Sequence, residues 1–203
     1  GGNELPQVLF SLREGGGPQL RQVLMTYVER AVVTRESEVA QAAVGADPDV
    51  SSALLRVLAN GGTPASRQVL QQLCQSEDVN VRTEARVLLC ATPEQALAEL
   101  VAMLENPSAL IRLASLRTVT RHGVRGAWPT IARLVNAKNF NELGSDERRE
   151  LLRALVSLSP ERGEPVALDI AKKGGVLVSE EREVTRTIAA EVLGDVSRSV
   201  GCA

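Results

Sequence analysis

Val50, Val81 and Ile111 stand at the same place early in three successive apolar runs, 31 and then 30 residues apart. The mark returns at Arg148 and Val184, a further 37 and 36 residues along. A period of this length holds two helices and a turn, the repeat length of an α-solenoid. Neither helix of such a pair can bury its apolar stripe alone, so pairs must stack and share a core. This recurrence is the strongest constraint on the fold.

Apolar residues at helical spacing support it along almost the whole chain. The pattern predicts helices over 4–14, 18–33, 36–44, 48–60, 64–75, 79–90, 93–105, 108–122, 126–137, 146–158, 161–173 and 180–196. Asp47-Pro48, Thr63-Pro64, Thr92-Pro93 and Asn106-Pro107 each set a capping oxygen beside a proline suited to the first turn. Ser145 reads as the cap before DERR. Gly61-Gly62, Gly123 and Gly174-Gly175 read as stops. Short connectors force neighbouring helices antiparallel. GGVLVS at 174–179 is β-like but short and isolated, and reads as a tight loop between repeats.

The repeated unit resembles the HEAT/armadillo superfamily, in the HEAT-like form common in bacterial scaffold proteins. The resemblance rests on a leucine-rich first helix, an Asp/Asn-Pro turn, a β-branched residue followed by arginine, and a second helix of alanines and leucines. Leu100, Leu104, Asn106, Pro107, Ile111, Arg112, Ala114 and Leu116 match it best, with Leu70, Leu73, Val81, Arg82, Ala85 and Leu88 behind them. The first unit keeps Asp47, Pro48 and Val50 but has Ser51 in place of the arginine. Arg148 or Arg149 matches loosely, and Val184 is followed by Thr185. The resemblance implies a right-handed superhelix of five or six antiparallel helix pairs. It also implies a ladder of contacts between repeats at the aspartate and arginine positions, and protein recognition along a curved surface. On this reading 1–203 is one repeat domain, with a divergent cap at 1–47, regular repeats at 48–137 and longer repeats at 138–203.

Composition narrows the function. The formal net charge is -2, which gives no bulk attraction to nucleic acid or acidic membranes. Residues 1–100 hold 8 basic against 12 acidic side chains, whereas 101–203 hold 15 against 13. Cys74, Cys90 and Cys202 form no CxxC pair, which argues against a zinc knuckle or a disulfide scaffold. No apolar run is long enough for a transmembrane helix, and cytoplasm is the expected compartment. The Gly1-Gly2 start reads as a processed tag or an excised fragment of a larger parent protein.

Arg82 and Arg112 lie in first turns, where the helix dipole disfavours a cation. An acid or carbonyl of the preceding repeat is the expected support. With Asp47, Pro48, Val50, Val81, Pro107 and Ile111 they make the structural seam. Arg117, Arg121 and Arg125 follow four-residue spacing beside His122. With Arg133 and Lys138 they form a candidate basic ridge for an acidic protein surface. No aromatics interleave with it, which weakens a single-stranded nucleic-acid reading. Trp128 and Phe140 bracket a repeat and have two open roles: filling the space beside the 138–147 insertion, or marking a binding hot spot.

Catalytic patterns are absent. His122 is the sole histidine, Cys74 and Cys90 sit in apolar runs, and the glycines at 15–17 lack a phosphate-binding lysine. Glu180, Glu181 and Glu183 suit a helix N-terminus more than a metal. The expectation is a non-enzymatic protein-interaction or scaffold module without cofactor or metal. The partner would be another protein or another domain of the parent. Nucleic-acid-backbone binding is the alternative, and a repeat-based lyase a more remote one.

Overall fold

Proline and a capping side chain open the helices where the sequence places them. Asp47 Oδ1 accepts from the N–H of Asp49 at 3.0 Å, with Pro48 in the first turn. Thr63 Oγ1 accepts from Ser66 N at 2.9 Å, ahead of Pro64. Asp78 accepts from the N–H groups of Asn80 and Val81. These bonds satisfy amides that have no partner inside the helix. Gly62 and Gly123 close two helices in the left-handed conformation, at φ 62 and 61.

Two caps differ from expectation. Asn106 Oδ1 accepts from Ser108 N at 2.9 Å, so it forms the turn and Ser108 becomes the cap. Ser145 is the first helical residue, not the cap. The cap is Gly144, whose carbonyl takes the Arg148 N–H at 3.0 Å.

The computed structural model describes residues 4–14, 18–172 and 179–200. Among them are twelve α-helices and no strand. The glycines at 15–17, Gly174-Gly175, most of GGVLVS and Cys202 lie outside the described residues. The helices are α1 (Leu5–Glu14), α2 (Pro18–Ala31), α3 (Glu36–Ala43), α4 (Pro48–Gly61), α5 (Pro64–Leu73) and α6 (Val79–Leu88). Then follow α7 (Pro93–Leu104), α8 (Ala109–His122), α9 (Trp128–Val135), α10 (Ser145–Leu158), α11 (Pro160–Lys172) and α12 (Glu180–Val200). A 3₁₀ turn at Arg125–Ala127 leads into α9, and another at Phe140–Glu142 lies before α10.

The chain divides into two compact units, residues 1–96 and 97–203. In the first, α1 packs on α2 and α3, α3 on α4 and α5, and α4 on α2, α5 and α6. Each helix therefore meets its pair-mate and the equivalent helix of the next pair. Leu5, Leu12, Leu54, Leu55 and Leu58 are fully buried in the shared core. In the second unit α10 is central, contacting α8, α9, α11 and α12. Leu116, Ile131, Leu151, Leu152 and Leu155 fill its interior. A core of aliphatic side chains is what a chain with four aromatic residues can build.

Helix α8 lacks a single apolar stripe because it is covered on more than one side. Its buried Ser115 and Thr118 donate to carbonyls one turn back, at 2.7 and 2.9 Å from Ile111 O and Ala114 O. That local bonding lets small polar residues enter an interior helix without stranding a donor.

Several carboxylates are held below their usual range. Glu36 is lowered by its own N–H and by the Thr63 hydroxyl, which donates at 2.9 Å. The Ser159 hydroxyl and its own N–H lower Glu161, and its own N–H and Ser179 lower Glu181. A depressed folded value stabilises above the unfolded value, and the contribution is lost as pH falls through the folded one. The melting temperature should therefore drop as pH falls below the ordinary carboxylate range. In scanning calorimetry Glu36→Gln should flatten this decline. An unchanged slope in that variant would contradict the assignment.

Candidate interaction surface

The seam begins with polar groups buried between successive second helices of the pairs. In the first unit Ser52 on α4 donates to Glu84 on α6, and both are buried. In the second unit Arg112 on α8 forms a two-pronged pair with Glu147 on α10, Nε to Oε1 at 2.5 Å and Nη2 to Oε2 at 2.8 Å. Arg112 Nη1 also donates to the carbonyls of Asn106 and Pro107, at 2.7 and 2.8 Å. The carboxylate raises the guanidinium above its ordinary value. The supporting acid therefore lies in the following repeat, not the preceding one. A first-turn arginine already faces the carbonyls of its own turn, and its far edge points onward.

Arg148 repeats the forward reach from α10 to α12. Its Nη1 donates to Glu181 O and Thr185 Oγ1, both at 2.6 Å, while its buried Nε has no partner. Arg149 pairs beside it with Glu191. Arg82 behaves otherwise: Nη1 donates at 2.6 Å to Ser76 O, in the turn before its own helix. Asp47 and Pro48 serve the α4 cap, Val50 and Val81 are buried, and Ile111 is only partly covered. Pattern reading missed Ser52, Glu84 and Glu147, which carry no local signal of a partner more than thirty residues away.

The candidate ridge separates into layers. Arg117 and Arg121 lie on α8, the former exposed and the latter half-buried. No described residue forms a hydrogen bond or ion pair with Arg117. Arg125 is exposed in the turn before α9, near enough to help lower Glu161. Arg133 belongs to a first helix, α9, where it pairs with Glu105. Lys138 is exposed in the following connector.

Of the two aromatics, Phe140 is only 4% exposed and cannot serve as a surface hot spot. Trp128 is half-buried: Nε1–H donates to Leu155 O at 3.0 Å, and the Arg162 guanidinium lies 4.0 Å from the ring centroid. Trp128 thus ties the start of α9 to α10 and α11, and Phe140 is buried in a short turn that packs against α12.

A cleft of about 450 Å³ opens in the first unit between the ends of α4 and α6 and the start of α5. Leu58, Leu70, Leu88 and Leu89 wall it, with Arg67 and Cys90 among its lining residues. The Cys90 thiol donates to Arg86 O at 3.4 Å. Nothing in this lining pairs a nucleophile with a base. Among the described residues no three metal-ligating side chains cluster, and no helix is long and apolar enough to cross a membrane. What the geometry offers is a braced set of helices with charged side chains left outside. Against family models, curated proteins and solved structures the chain finds no match, so its own helices alone establish an all-α fold of adjacent, packed pairs.

Proposed function

We propose that the chain is a non-catalytic protein-interaction module, a HEAT-like right-handed stack of about five or six antiparallel helix pairs. Its partner is another protein, or another domain of a parent chain, that presents acidic groups. One observation carries the reading. On α8, Arg112 is consumed in a strut to Glu147, whereas Arg117, five residues on, is exposed and bonded to no described residue. Buried charges set the spacing between second helices, and exposed ones remain for recognition. Exposed interfacial charges act mainly on specificity and association rate.

Cross-linking followed by pull-down of the full chain tests this. Arg117→Glu with Arg121→Glu should lower partner recovery by about tenfold while the melting temperature stays within about 2 °C. Unchanged recovery would remove the basic face from the account.

A further inference from the structure

Counting from the helix caps brings out a register that spacing within one helix hides. The caps of α4, α8 and α10 are Asp47, Ser108 and Gly144, and the ninth residue after each is Arg56, Arg117 and Arg153. In α6, capped by Asp78, the eighth is Arg86. Burial shows why the position matters. Between residues 51 and 59 of α4 only Arg56 is exposed, within α6 only Arg86, and between 111 and 122 of α8 only Arg117. Arg153 has a side chain 41% exposed and shares Glu150 at 3.1 Å. In α4, α6 and α8 these stretches leave one residue exposed, and it is arginine; in α10 Arg153 is half-exposed and the exposed residue is Ser157, one turn on.

The two arginine-bearing helices of each unit are direct neighbours, α4 against α6 and α8 against α10. Packed helices lie about 8–10 Å apart. A polyproline II chain rises about 3.1 Å per residue with three residues per turn, so every third side chain returns to one face after about 9 Å. We propose that each unit's arginine pair binds an acidic segment in this extended conformation, with Asp or Glu at every third position. The inference rests on the protein-interaction reading and names the chemistry of the partner. A guanidinium fork matches a carboxylate in two-pronged geometry. A nucleic-acid backbone fits less well, since the chain's net charge is -2 and Glu150 shares the strip with Arg153.

Fluorescence anisotropy with a labelled peptide of four Glu-Pro-Pro triplets tests it on the full chain. The expected result is saturable binding that weakens with salt and disappears when Gln replaces Glu in the peptide. Arg56→Glu with Arg117→Glu should weaken binding at least about tenfold, and Arg67→Glu with Arg133→Glu, on first helices, by less than about twofold. If circular dichroism shows the reversed pair to be unfolded, Arg56→Gln with Arg117→Gln gives the same comparison. Absence of peptide binding would overturn the proposal, as would an equal loss in the first-helix variant. So would binding of a twenty-nucleotide oligo-dT but not the peptide. If the peptide fails while Arg117 and Arg121 still govern partner recovery, this inference falls and the interaction module stands. If that recovery is also insensitive to both arginines, the two fall together.

Discussion

Replacing Gly163 with alanine is expected to cost about 3 kcal/mol or more, and with valine to abolish cooperative unfolding of residues 97–203. Gly163 is buried in α11, where a Cβ would sit 2.3 Å from Leu155 O, 2.7 Å from Leu155 C and 2.8 Å from Val156 Cα. All three atoms are α10 backbone, so no side-chain rotation relieves the overlap and α11 has to move away. That movement would open the contact between α10 and α11 and disturb α12, which packs on both. Urea unfolding followed by far-UV circular dichroism measures the loss directly. A wild-type midpoint for Gly163→Ala would mean that the two helices do not approach this closely. The position is not legible in ERGEPV, where a glycine followed two residues later by proline looks like a helix breaker rather than a packing contact.

The second large effect concerns Arg112. Arg112→Met removes the cation and leaves Glu147, whose side chain is 6% exposed, without its two-pronged partner. Breaking a buried pair from one side costs about 3–5 kcal/mol, because the remaining charge is desolvated and unpaired. Adding Glu147→Leu should restore most of the loss, since an apolar pair of similar volume carries no such penalty. Denaturant midpoints of the two single variants and the double variant form a cycle that isolates the coupling. Additive effects would show the two side chains to be independent and would remove the strut between α8 and α10.

The helices were readable from the chain because their caps, prolines and glycines are local signals. The predicted ends of α5, α6 and α9 run two residues too far. Cys74, Leu89 and Asn136 follow the last helical residue of each with helical backbone angles but tightening bonds, so apolar periodicity continues past the helix proper. The seam was half legible. An arginine in the first turn of α8 opposes the helix dipole and so announces a partner, but the direction of that partner depends on the stack. Glu147 and Glu84 read as ordinary solvated acids until the fold buries them. The exposed arginines show the same limit. Spacing along α8 groups Arg117 with Arg121 and Arg125, whereas the caps group it with Arg56 and Arg153. The burial of the residues around Arg56 and Arg117 makes the second grouping matter.

The second helices are the face we propose to meet a partner. A benzophenone side chain placed at 117 or 153 on that face, and at 133 or 168 on the first helices of the same unit, tests it most directly. Irradiation in the presence of cell extract should give partner adducts from 117 and 153 at least about tenfold above those from 133 and 168. Equal yields from all four positions, or adducts confined to 133 and 168, would contradict it.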